Sequence, residues 1–197
     1  EVAVAYISYG DNAYTFNSIE AAIEFAEAGG DVVTLIRDIT ASNIITINKA
    51  ITLDGNGKTI TYTGAGRAID VPANADAKVN VTIENLTVDC NASYCQRGIN
   101  YNTTGKLTLN DVVVTGNTIT YAINLPGSSI GATVEINGGS FTGNGSAVYT
   151  DKGGKITVTG GTVSDVAVNM VKETEGATNN AKNAASLTVQ NATVGKV

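Results

Sequence analysis

The chain is predicted to be all-β, a single-stranded right-handed parallel β-helix of three parallel sheets and about six coils with an N-terminal capping helix. Three observations carry this. An eight-residue pattern, apolar-x-apolar-x-x-apolar-x-apolar, recurs along most of the chain; a further short strand follows each copy; and the composition suits strands and tight turns. Among 197 residues there are 22 Gly, 8 Tyr, 2 Pro and no Trp, and 15 % are charged.

Taken from the N-terminus, residues 1–31 read as a cap, because an open sheet end exposes unpaired backbone and apolar rungs. Asn17 as N-cap with Glu20 three residues on makes a capping box. Ile19, Ala22, Ile23 and Ala26 recur at helical spacing, and Gly29 and Gly30 end the segment, so a helix is predicted over residues 17–28.

Coils occupy residues 32–197. Val33–Leu35 opens an early one, and Ile45–Leu53 reads as the repeat with one residue extra. The clean copies are Val81–Val88, Leu107–Val114, Val134–Phe141, Ile156–Val163 and Leu187–Val194. Each is two short alternating strands broken by a polar pair. Their starts lie 26, 27, 22 and 31 residues apart, as coils with loops of variable length require.

The third strand of each coil follows a small-aliphatic-polar-variable pattern, at Ala68–Val71, Gly98–Tyr101, Ala122–Leu125, Ala147–Thr150 and Ala167–Met170. In the turn after four of the repeats an asparagine recurs at one offset: Asn56, Asn91, Asn117 and Asn144. Stacked coils would stack these amides into a structural ladder, each donating to one neighbour and accepting from the other. The chain reads as a single domain, 1–197. It stops just after a strand pair with no cover for the last coil, so it is expected to be a piece of a longer protein, with end-to-end self-association as one consequence.

The net charge of −6, with basic residues scattered singly, excludes nucleic acid as an expected partner. No apolar run is long enough to cross a bilayer, so no membrane insertion is expected. Cys90 and Cys95 sit in one polar loop, and a disulfide between them, suited to an oxidising compartment, is the expected state; two free thiols are the alternative. Several Asn-x-Ser/Thr triplets follow from composition alone.

Three constellations could carry chemistry. Asp54 and Asp89, read as occupying one offset on neighbouring coils, could hold calcium, although turn chemistry accounts for both; no cofactor is otherwise implied. Arg67 and Arg97 precede the third strand of successive coils, where two guanidinium groups could grip an acidic sugar. The polar column Asp70, Asn100, Asn124, Tyr149 and Asn169 should face solvent along one sheet and could bind a ligand such as a glycan.

Residues Tyr14–Ile39 and Ile47–Ile60 resemble the opening of pectate-lyase-like parallel β-helix proteins, in the branch of bacterial cell-surface proteins. That superfamily implies lyases, hydrolases, tailspikes and adhesins alike. Its polygalacturonase-like enzymes carry a Gly-His-Gly segment and paired aspartates, and its pectate-lyase-like enzymes a Trp-Ile-Asp-His segment and an arginine near a proline. This chain has no His and no Trp, and neither Pro72 nor Pro126 lies in such a setting, so no catalytic residue carries over. The expectation is a non-catalytic extracellular or cell-surface module of a bacterium, an adhesin or scaffold segment, with glycans or another surface protein as candidate partners. The alternative is a polysaccharide lyase or glycosidase acting on an acidic glycan.

Overall fold

Alternating apolar residues become stacked rungs in the computed structural model, which describes residues 2–73, 78–91, 94–126, 131–150, 154–164, 166–168 and 186–197. The protein is all-β, a stacked-coil β-solenoid of about four turns with one short helix. The strands are β1 (Ala5–Tyr9), β2 (Asn12–Phe16), β3 (Val32–Leu35), β4 (Ile39–Ala41), β5 (Ile45–Thr46), β6 (Thr52–Tyr62), β7 (Gly66–Val71), β8 (Val81–Asp89) and β9 (Cys95–Tyr101). They continue through β10 (Lys106–Asn110), β11 (Val112–Thr115), β12 (Tyr121–Leu125), β13 (Thr133–Phe141), β14 (Ser146–Thr150), β15 (Lys155–Val163), β16 (Val166–Val168), β17 (Ser186–Val189) and β18 (Thr193–Val194). The helix α1 is Ile19–Phe25.

All five clean repeats stack in the register their pattern implies. Val81 pairs with Leu107, Leu107 with Val134, Val134 with Ile156 and Ile156 with Leu187. In the second half of the unit Val88, Val114, Phe141, Val163 and Val194 form the matching line. From Val81 to Val163 these apolar side chains are buried, because alternation turns every second residue of a strand to the same face and the stack repeats that face at each coil.

Between the halves, Asn85, Asp111 and Asn191 adopt a left-handed backbone at φ 49°, 51° and 51°, as the chain turns a corner. Asparagine, aspartate and glycine tolerate that conformation best, which is why the polar pair takes these residues. The chain does not break there: β6, β8, β13 and β15 run through the corner. The first two strand columns are therefore joined in one 12-stranded sheet, while the third column forms a separate 6-stranded sheet in the order β16-β14-β12-β9-β7-β5. β7, β9, β12 and β14 are its long rungs, and β5 and β16 are short ones.

Two expectations of register are corrected. Ile45 and Thr46 pair with Ile69 and Asp70 in the third column, so Ile45–Leu53 is not one repeat. The repeat of that coil starts instead at the next apolar pair, where Leu53 stands beside Val33 and Ile83. Its strand β6 carries additional residues that shift the register between Asp54 and Lys58. A bulge of this kind is invisible to pattern matching, because the apolar alternation resumes intact beyond it.

The helix is also shorter than expected, 19–25 instead of 17–28. Its N-cap is Ser18, whose Oγ accepts the Ala21 N–H at 3.1 Å. The chain leaves the helix at Ala26, before the glycines, at ψ 139°. Lys49 Nζ donates to the carbonyls of Glu24 and Ala26 at 2.9 and 2.8 Å, placing a cation where the helix dipole is negative. Ile19, Ala22 and Ile23 are its buried residues.

Candidate functional site

The third strand of each coil is bent. A flat strand sends residues i and i+3 to opposite faces, about 10 Å apart along the chain. Here Arg67 Nε lies 3.3 Å from Asp70 Oδ1 on the same strand. Tyr121 and Tyr149 stack with ring centroids 4.4 Å apart at 15°, although Tyr121 pairs in register with Ser146 and Tyr149 with Asn124. Both contacts need two consecutive residues to turn inward between the outer ones. Ala68 and Ile69, Ala122 and Ile123, and Ala147 and Val148 are those pairs, all fully buried. A Cβ added at Gly98 would meet Val114 Cγ1 at 2.3 Å, so that position faces the core as well.

Two parallel columns flank this bend on the outer side. One runs Arg67, Arg97, Tyr121, Ser146, and the other Asp70, Asn100, Asn124, Tyr149. The structure thus brings Arg67, Arg97, Asp70, Asn100, Asn124 and Tyr149 to one site. Asn169 lies outside the described residues, and Ala167 stands in register with Tyr149, so the last coil is slipped by two residues from the pattern read in the sequence.

The polar column is not the solvent-facing row that alternation suggested. Asp70, Asn100 and Asn124 are 8 %, 2 % and 3 % exposed, beside the larger Arg and Tyr side chains of the bent strands. They satisfy one another: Asn124 Nδ2 donates to Asn100 Oδ1 at 2.7 Å, and Asn100 Nδ2 donates to Asp70 Oδ1 at 2.7 Å. Every donor along this line points toward the carboxylate, and each polarised amide strengthens the next. The accessible chemistry of the site therefore belongs to the half-buried Arg67, Arg97, Tyr121 and Tyr149.

A second ladder of the same grammar occupies the corner between the first two columns. Thr159 Oγ1 donates to Asn137 Oδ1 at 2.6 Å, Asn137 Nδ2 to Asn110 Oδ1 at 2.9 Å, and Asn110 Nδ2 to Glu84 Oε2 at 3.1 Å. Sequence reasoning missed it, although the polar pair at a constant offset in each repeat was the signal. The asparagines expected to form a ladder have other partners. Asn144 Nδ2 donates to the Asn117 carbonyl at 2.5 Å, Asn91 Nδ2 to Asp89 Oδ1 at 2.7 Å, and Asn56 Nδ2 to the Leu35 carbonyl at 3.2 Å.

The proposed calcium pair is likewise corrected. Asp54 pairs in register with Glu84, whereas Asp89 pairs with Thr61 and Thr115, so the two aspartates belong to different columns. Asp54 Oδ1 accepts from Asn56 N and Asn85 Nδ2, and Asp89 Oδ1 from Asn91 N, which is turn chemistry. Among the described residues no group of three or more His, Cys, Asp and Glu could hold a metal ion.

Cys90 and Cys95 are fully buried and stand in hydrogen-bond contact with each other, without a bridge between them in this structure. Cys95 Sγ also donates to the Arg97 carbonyl at 3.0 Å. The hydrogen bond to Cys95 and the loss of water together push the Cys90 thiol well above its ordinary range, so it stays protonated.

The fold and its bent polar strip define a class of protein, an all-β, stacked-coil β-solenoid with a laterally exposed strip of arginine and tyrosine. Comparison with protein-family models, curated proteins and solved structures found no match.

Proposed function

We propose that this chain is a non-catalytic extracellular surface module, a right-handed parallel β-helix whose N-terminal residues cap the stack and whose bent third-column sheet contacts glycans. The observation that carries the reading is the strip itself. Tyr121 and Tyr149 offer stacked rings, Arg67 and Arg97 offer donors, and the Asp70–Asn100–Asn124 ladder beneath them is internally satisfied. Sugars are bound by such combinations of flat ring surface and fixed donors, and a rung repeat holds them without loop ordering. A bacterial cell-surface origin belongs to the same proposal, on the resemblance of residues 14–60 to pectate-lyase-like surface proteins.

Scaffold and adhesin roles differ from the lyase or glycosidase alternative in one measurable respect. A glycan array and a polysaccharide-digestion panel, run on one purified sample with and without calcium, are expected to give binding without turnover. Release of unsaturated or reducing sugars would overturn the proposal and make Arg67 and Arg97 the first residues to mutate. No retention of any glycan would remove the contact role.

A further inference from the structure

Successive rungs of the strip differ in one atom group that changes their charge. On the first, Arg67 faces Asp70, an in-register carboxylate on its own strand, and the two form an ion pair at 3.3 Å. On the next, Arg97 pairs in register with Arg67, but the position equivalent to Asp70 is Asn100. Asn100 brings no charge to Arg97, and its amide is engaged along the ladder, Oδ1 accepting from Asn124 and Nδ2 donating to Asp70. Arg67 Nε and Arg97 Nε are both buried without a hydrogen-bond partner among the described residues, but Arg67 has its ion pair with Asp70, and no ion pair there involves Arg97. A half-buried guanidinium with no carboxylate beside it keeps an uncompensated charge for an arriving anion to meet. On the rung beyond, in register with Arg97, is Tyr121, stacked on Tyr149.

We propose that Arg97 and the Tyr121–Tyr149 pair form a subsite for a single carboxylated sugar, set within a glycan that is otherwise neutral. This rests on the glycan-contact reading above. The planar guanidinium matches a carboxylate with two parallel donors. Tyr121, one strand spacing of about 4.8 Å from Arg97, and Tyr149 on the rung beyond offer a face for the sugar ring or its neutral neighbour. The count of free charges sets the specificity. Arg67 is already neutralised by Asp70, so one rung accepts a carboxylate and its neighbour does not. A chain of contiguous uronates would bring a second carboxylate toward Asp70, with no free cation to meet it.

The test uses the full chain and four probes: methyl β-glucuronoside, its methyl ester, methyl β-glucoside and trigalacturonate, titrated by NMR. The glucuronoside is expected to bind about tenfold or more tightly than the ester and the glucoside. Trigalacturonate should bind within about threefold of the monosaccharide. Arg97→Gln, with unchanged circular dichroism and melting temperature, should level the three monosaccharides, and Arg97→Lys should retain part of the preference. Asp70→Asn keeps an acceptor oxygen for Asn100 while freeing Arg67, and should raise affinity for trigalacturonate above that of the glucuronoside. Equal binding of acid and ester, an Arg97→Gln protein that still prefers the acid, or an Asp70→Asn protein with no gain would each overturn the subsite while leaving glycan contact standing. Failure of the folded protein to bind these probes or any glycan on the array would remove both.

Discussion

Asn100 is held on both sides, giving one hydrogen bond to a carboxylate and accepting one from Asn124, at 2 % exposure. Its replacement by alanine leaves the Asp70 carboxyl and the Asn124 amide each short of a partner in a buried strip, a loss of about 2–4 kcal/mol. Asn110→Ala, in the more exposed corner ladder, should cost under about half as much, since water replaces the lost partners there. Denaturant midpoints of the two variants against the parent check the ordering. Equal losses would mean that burial does not set the strength of these ladders.

Two tyrosines make the stability of the fold depend on pH. The hydroxyl of Tyr9 donates to Asp31, and that bond, with burial and the nearby negative charge, raises its pKa from 10.0 to about 12. Burial pushes Tyr101 up in the same direction, its hydroxyl donating to the Val79 carbonyl at 2.6 Å. Both groups are needed neutral in the folded protein and ionise more readily in the unfolded chain. Their contribution is therefore complete below pH 10 and is lost as pH rises from 10 through the folded values. Denaturant midpoints measured at one-half pH intervals should fall from pH 10 upward, and Tyr9→Phe should reduce that slope between pH 10 and 12.

At the scale of elements, the bend of the third-column strands depends on small inward side chains. Gly98→Ala places a Cβ 2.3 Å from Val114 Cγ1 and 2.8 Å from the Ala122 carbonyl. The side chain can retreat but the strand cannot, so a loss of about 1–3 kcal/mol is expected, with partial rescue by Val114→Ala. Thermal unfolding of the single and double variants measures this coupling. Absence of any rescue would place the clash on the backbone alone. The helix offers a simpler contrast, because the Ser18 side chain accepts from the first turn. Ser18→Ala should cost about 1 kcal/mol and Ser18→Gly only a few tenths, and chemical denaturation of the two variants measures the cap.

For the whole molecule, each rung is supported by its neighbours along the stack, so protection should follow position in the sheets. β8, β9 and β12 are paired on both sides, whereas β2 pairs only with β1 among the described residues and its first four residues are exposed. Hydrogen exchange should leave amides of β8, β9 and β12 as the slowest and those of β2 among the fastest. Fast exchange throughout the central rungs would argue against a cooperatively stacked solenoid. Buried Cys90 and Cys95 belong to that central region and should react with a thiol reagent only on the timescale of opening. Intact mass under non-reducing conditions reports whether they are bridged.

Strand alternation, the five in-register repeats and the two columns, Arg67 with Arg97 and Asp70 with Asn100, Asn124 and Tyr149, were legible in the sequence, because side-chain polarity at a fixed period determines which face a residue takes; that one bend brings the columns together was not. Tertiary structure alone decided which polar groups meet. Loops of unequal length and the bulge in β6 change register without disturbing the apolar pattern, which moved the ladders to other columns and separated Asp54 from Asp89. Exposure was decided there too: the strand bends, Arg67 reaches Asp70, and Asp70, Asn100 and Asn124, a row that alternation turns outward, end buried. Alternation reports direction along one strand, whereas burial depends on the size of the side chains on the neighbouring rungs.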